Sequence, residues 1–358
     1  MTSIACLVPA TVSYISALTG SSNSTLGIRT VEWMRDNGAR GLVNRVESIY
    51  YSLNAPAKGG PGLRTLPSQA GTALNPTVKR QAARPEYRPS RIRPVLSPAL
   101  PGEGVWRATF VHGGSSPPVL ITSFRPDPAY PRMVAGVAWI NRARTTTWLY
   151  PGRLEPGVSL PSRGPMEVPV DRRPQLVATF NSGFKLSDSG GGFAEGGHTY
   201  APLKSGLATF ERFRDGQVSV TAWAGGPVAG PDVMYARQNL PLIVNNGRPN
   251  PNLSDGPEWG ATLGNAIRVW RSSVGVDRRG NLIYAAAPIQ TVGSLAAIMI
   301  HAGAVRAMEL DINTYWTSFI TYRFPGAHSP ANLLPTMDRS SLRYLTPDDR
   351  DFFAVYLR

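Results

Sequence analysis

After residue 103 the chain is a succession of short runs in which apolar positions alternate with polar ones, or stand together, between Gly, Pro and Asn punctuation. These runs predict strands at 105–112, 119–124, 133–140, 145–150, 176–180, 207–213, 218–223, 242–245, 267–276 and 282–287. One stretch breaks the period of two. Residues 291–303 space Leu295, Ala296, Ile298, Met299 and Ile300 as a helix, with Thr291 as its N-cap and Gly303 at its end. A hairpin turning at 277–281, this helix and a following strand predict an α+β domain with a mixed sheet and few helices. That following strand, 305–313, is the most informative stretch, because alternation sets Glu309, Asp311 and Asn313 on one face and Met308, Leu310 and Ile312 on the other. Same-face neighbours in a strand stand ~6.5–7 Å apart, so Glu309 and Asp311 can share one polar ligand, a metal ion or a glycosidic oxygen. The alternative is a strand end whose carboxylates are hydrated or paired with arginines.

Before residue 104 the pattern changes. Val31, Met34, Leu42, Val43, Val46, Ile49 and Tyr50 fall at near-helical spacing across Gly38 and Gly41, predicting two short amphipathic helices within 30–53. Residues 54–101 then hold nine prolines together with Arg80, Arg84, Arg88, Arg91 and Arg93, the composition of a semi-rigid, polycationic linker. Three parts follow from this: a helical, membrane-proximal segment at 1–53, a Pro/Arg-rich linker at 54–103 and a catalytic or binding domain at 104–358. The apolar stretch 3–18 is broken by Pro9 and has no Lys or Arg before Arg29. It is shorter than the ~20 residues that span a bilayer. The basic, helix-compatible run behind it favours the remnant of a signal anchor over the first helix of the fold, and so predicts an exported chain held at the cell envelope.

Charge narrows the partners. Residues 1–103 hold 12 Lys/Arg against 5 Asp/Glu, a net +7 on less than a third of the length, within a total of +14. Such a segment suits an anionic membrane surface or envelope polymer. No zinc-knuckle spacing, RRM-like aromatic signature or dense Lys/Arg block supports nucleic acid as a partner. Cys6 is the only cysteine, which excludes an internal disulfide and a cysteine-built zinc site. No Gly-x-Ser-x-Gly elbow is present for a serine hydrolase.

Four elements, taken in order, carry a resemblance. They are Ala178-Thr179-Phe180-Asn181-Ser182-Gly183-Phe184, Trp270-Arg271-Ser272-Ser273-Val274-Gly275-Val276 with Gly280 in the turn behind it, a helix ending His301-Ala302-Gly303-Ala304, and Glu309-Leu310-Asp311. Over roughly residues 104–324 the chain resembles the phosphodiester glycosidase family, and in particular its exported actinobacterial members. The resemblance implies a hydrolase that cleaves a sugar from a sugar phosphodiester. A non-catalytic module that holds an anionic envelope glycopolymer is the alternative. Where the family closes its last element with Gly-Gly-Gly-Ser after the aspartate, this chain has Ile312-Asn313-Thr314-Tyr315-Trp316. A glycine turn offers backbone N–H groups to an anion. Its replacement predicts that phosphate recognition is altered or lost, unless Asn313 and Thr314 supply side-chain hydrogen bonds in compensation.

Such a reaction passes through an oxocarbenium-like state, with positive charge on the sugar and negative charge on the departing phosphate. Asp311 is the first candidate for the carboxylate, Glu309 the second, as its partner or as a metal ligand. Arg271 is the candidate phosphate clamp, because a guanidinium grips two oxygens at once, or else the partner of Glu309 or Asp277 in a structural ion pair. Asn181 and Lys185 flank the Ser182-Gly183-Phe184 turn as candidates for sugar and phosphate, and Arg237 lies on a plausible rim. His198, in the Gly-rich stretch 190–198, is the candidate proton carrier of a mobile lid. Trp259, Trp270 and Trp316 are candidates to stack on a sugar ring, or core residues. Glu309 and Asp311 come closest to a metal pair, and Ca²⁺ would need more oxygens than these two supply.

Overall fold

Three sheets form where the sequence alternates, and every pairing between neighbouring strands in them is antiparallel. The computed structural model describes residues 2–69, 71–72, 87–110, 116–254, 259, 268–323 and 326–358. The largest sheet runs Arg107–Ala108 (β1), Val119–Phe124 (β2), Ala135–Ile140 (β3), Leu282–Gln290 (β14), Val269–Val276 (β13), Arg306–Ile312 (β15), Leu242–Asn245 (β11), Arg248–Pro249 (β12). A second runs His198–Ala201 (β7), Phe193–Glu195 (β6), Val233–Gln238 (β10), Ala208–Phe213 (β8), Val218–Ala222 (β9). The third runs His328–Asn332 (β17), Phe319–Arg323 (β16), Leu176–Asn181 (β5), Phe352–Leu357 (β18), Thr145–Tyr150 (β4). The α+β class expected from the pattern is borne out, but the sheets are antiparallel throughout rather than mixed.

The first predicted strand shrinks to Arg107–Ala108, and His112 and Ile267 lie outside the described residues, as do Pro76, Pro85, Arg80 and Arg84 of the linker. The strands at Val233–Gln238, Phe319–Arg323, His328–Asn332 and Phe352–Leu357 were not foreseen. Phe352–Leu357 is almost wholly buried and shows no alternation, because it lies between β5 and β4.

The core sits between the sheets. Phe180 packs within 5.2–6.4 Å, centroid to centroid, of Phe210, Tyr284, Phe319 and Phe353, so one ring ties all three sheets together. The opposite face of the large sheet is covered by the predicted helix, Val292–His301 (here α5), whose Thr291 and Ser294 close a capping box. Gly275 on β13 is required here. A Cβ at that position would meet the Arg306 carbonyl at 2.3 Å and the Met299 methyl at 3.0 Å.

At the N-terminus stand Thr2–Thr19 (α1), Leu26–Met34 (α2) and Arg40–Leu53 (α3). Thr25 caps α2, and Gly38, at φ +90°, makes the kink between α2 and α3. No described helix is long and apolar enough to cross a membrane. The helices are tied to the domain next to the C-terminal end of β15: Asn23 N–H donates to the Pro347 carbonyl at 2.9 Å, and Thr25 N–H to the Tyr315 hydroxyl at 3.0 Å. Part of the Pro/Arg-rich stretch also packs on the domain. Ile92 is buried beside α5, and the Arg91 guanidinium donates to the Glu103 carbonyl.

Candidate active site

Strand β15 carries the chemistry, and its pairing with β13 decides where each side chain goes. Arg271 stands opposite Ile312 and Ser273 opposite Glu309, so three residue steps on β15 face two on β13. This is a bulge at Leu310-Asp311, and a bulge re-aims a side chain that strict alternation would have placed elsewhere. Glu309 therefore points at Arg271, with Nη1 to Oε1 at 2.6 Å and both side chains fully buried. Asp311 instead lines a pocket of about 80 Å³. The structure does not bring the two carboxylates to one ligand.

The pocket is built from both ends of the chain. Lys185 enters from the start of a one-turn helix, Leu186–Ser189 (α4), and Arg350 from the segment before β18. Asn313 and Trp316 follow β15, and Ile28, Val31, Glu32 and Arg35 come from α2 and the turn behind it. Arg350 is 5% exposed, its guanidinium lies 4.4 Å from the centroid of the Trp316 ring, and its Nη1 stands 3.8 Å from Asp311 Oδ2. That distance exceeds a hydrogen bond, and Nη1 has no hydrogen-bond partner among the described residues. The position between Lys185 and Arg350 is filled by Glu32, whose Oε2 lies 2.5 Å from Lys185 Nζ and 3.4 Å from Arg350 Nη2.

Electrostatics separates Glu32 from Asp311, two of the four carboxylate residues that line the pocket. Burial raises the Glu32 carboxyl, but Arg350 and Lys185 outweigh it and hold the group below its ordinary value. For Asp311 burial wins. Its carboxyl is pushed up to about 7 despite Arg350 and the Ile312 N–H that donates to Oδ1 at 3.0 Å, and Glu32 adds to the rise. A carboxyl balanced near neutrality beside a buried cation pair is suited to proton transfer and to stabilising positive charge.

The other sequence candidates divide by location. Asn313 reaches the pocket and takes the left-handed conformation, φ +84°, which asparagine tolerates, and its Oδ1 accepts the Tyr315 N–H. Asn181 lies beneath the site. Its Nδ2 donates to the Ser182 carbonyl and Ser272 Oγ, and its Oδ1 accepts from the Tyr284 hydroxyl and the Ser318 N–H, all at 3.0 Å. Gly183 lets the turn pass close to Asn239, which a Cβ would meet at 3.1 Å.

Arg237 is no rim residue. It is 1% exposed, paired with Asp351 at 2.7 Å, and donates to the Phe184 carbonyl, steadying the turn that presents Lys185. Arg271 is held by Glu309 and the Gln290 carbonyl rather than facing the pocket. His198 is exposed on β7 opposite Glu195, away from the pocket lining. The Gly-rich stretch beside it is no free lid, because Gly191 and Gly192 are buried and Gly192 N–H donates to Gln238 Oε1. Trp259 and Trp270 are core residues. Among the described residues no three His, Cys, Asp or Glu side chains gather as a metal site.

Arg350 and Glu32 were not foreseen. Arg350 stands in Asp348-Asp349-Arg350-Asp351, a charged run directly before an apolar strand, and that contrast was the available signal.

Residues 175–311 match the phosphodiester glycosidase family, which bears out the resemblance over that stretch. Among solved structures the chain is similar to the catalytic domain of zebrafish N-acetylglucosamine-1-phosphodiester alpha-N-acetylglucosaminidase, auto-inhibited by its pro-peptide, at 16% identity and TM-score 0.45, over 69% of this chain and 86% of that one. It is also similar to a hypothetical protein from Synechocystis at 14% identity and TM-score 0.38, over 63% of this chain and 59% of that one. No curated protein sequence matches.

Proposed function

We propose that the Asp311 pocket hydrolyses the sugar–phosphate bond of an anionic glycoconjugate of the cell envelope, with Asp311 at the anomeric carbon and Lys185 and Arg350 on the phosphate. One observation carries the reading: a carboxylate, that of Glu32, already sits between those two buried cations, beside Asp311. The family matched by residues 175–311 supports a hydrolase of this kind. Water adds its oxygen to the anomeric carbon and gives a proton to the Asp311 carboxylate. The anomeric C–O bond of the C–O–P linkage breaks, and its electron pair stays on the phosphate oxygen of the departing phosphomonoester, held by Lys185 and Arg350. Phosphate is a good leaving group, so no strong general acid is required of the site.

The same observation makes α2 and its neighbours a cover. Substrate phosphate and Glu32 compete for one place, so the wild-type chain is a poor catalyst until Glu32 withdraws. The test is turnover of a chromogenic sugar phosphodiester by the full chain and by Glu32→Gln, each with and without Asp311→Asn. Turnover that rises with Glu32→Gln and vanishes with Asp311→Asn supports the hydrolase. If Glu32→Gln is inert on a panel of sugars yet binds the same compounds in a calorimeter, the pocket belongs to the glycopolymer-binding alternative.

A further inference from the structure

The outward face of α3 is apolar and uncovered. Leu42, Val46, Ile49 and Leu53 recur at helical spacing along a single face, and every one is more than half exposed. Tyr50 flanks the stripe on one side and Arg45 on the other, both exposed. The acidic residue of this helix, Glu47, is turned away and pairs with Arg35. Residues 1–53, about a seventh of the chain, hold eight of the fourteen large apolar side chains exposed among the described residues, Val12 and Ile15 on α1 included. Single exposed leucines are ordinary; a row of four is a docking surface.

We propose that this face docks on an anionic lipid bilayer, with α3 lying in the interface plane. At 14 residues α3 is roughly 21 Å long, too short to span ~30 Å of hydrocarbon. An apolar stripe with aromatic and basic flanks matches a helix lying in the headgroup layer. Charge decides between a bilayer and a second copy. Residues 1–53 themselves hold Arg29, Arg35, Arg40 and Arg45 against Glu32, Asp36 and Glu47, so the discriminating charge is that of the whole chain, +14, which makes copies repel one another while anionic headgroups attract. The surface stands independently of the chemistry at Asp311.

Flotation of the full chain with phosphatidylcholine vesicles, with and without phosphatidylserine, tests it. The parent binds the serine-containing vesicles, less so at high salt, and the surface variant Leu42→Gln/Ile49→Gln binds at least about tenfold more weakly with unchanged circular dichroism. Arg45→Glu weakens binding to the same vesicles by a smaller factor. Equal binding by the double variant would mean that bulk positive charge is responsible and would overturn the proposal. So would failure of the parent to float, or a parent dimer in sedimentation that the double variant dissolves.

Discussion

Lys185 and Glu32 meet at 2.5 Å inside a pocket that also holds Asp311, although one opens the helix after β5 and the other belongs to an N-terminal helix. A carboxylate held there competes with any anion for the same donors. Glu32→Gln removes the competing charge while keeping the shape, and inorganic phosphate is expected to bind that variant at least about tenfold more tightly, since one charge-assisted hydrogen bond is worth ~1.5–3 kcal/mol. Isothermal titration of the two proteins at one ionic strength decides the matter. Equal affinities would mean that Glu32 is only a structural partner of Lys185.

Asp311 links the site to pH in a way stability can read. Its carboxyl stands at about 7 in the folded protein against an ordinary 3.8, so the folded state binds more protons than the unfolded one between those values. Stability contributed by this group therefore falls as pH rises from about 4 to about 7. Asp311→Asn cannot titrate, so it is expected to flatten that limb of the melting temperature against pH and to lie above the parent near pH 7. The same variant should lose about 10²–10⁴-fold in turnover. Parallel melting curves for the two proteins across this range would show that the carboxyl is not held near neutrality.

Arg271 and Glu309 give the contrasting case. Both are fully buried and paired at 2.6 Å. Removing one partner strands a charge in the sheet, which costs roughly 3–5 kcal/mol. Arg271→Ala is thus expected to lower the denaturation midpoint sharply. An Arg271→Ala protein with the parent's midpoint and no activity would place Arg271 at the substrate instead.

The strand from 305 to 313 shows how much could be read in advance. Its existence and its apolar face were legible, because alternation is a local feature. What alternation could not show was the bulge opposite Arg271-Ser273, which sends Glu309 into the sheet and Asp311 into the pocket. Arg350 was hidden for another reason. It reaches Asp311 through the ordering of β18 beside β5, a long-range arrangement that no local spacing records. Glu32 appeared only as a polar position on an amphipathic helix, and its significance comes from the docking of that helix over the pocket. Asn313 is intermediate: it could be singled out as a side chain for substrate, whereas its left-handed backbone at φ +84° emerged only in the structure.

Glu32 and Arg350 act on Asp311 with opposite signs, which permits a paired test. Glu32 raises the Asp311 carboxyl and Arg350 lowers it. In the pH profile of kcat/KM, the acid limb set by ionised Asp311 is expected to move to lower pH in Glu32→Gln and to higher pH in Arg350→Ala. Arg350→Ala should also lose about 10²–10³-fold at its own optimum, the usual effect of removing a group aimed at developing negative charge. Arg350→Lys keeps the charge but not the planar fork or the stack on Trp316, so its limb should stay near the parent's while much of the rate loss persists. A structural role for Arg350 predicts a different outcome, with lower melting temperatures and an unmoved limb in both variants. Shifts of opposite direction, with the lysine variant separating charge from geometry, would locate the phosphate between Lys185 and Arg350.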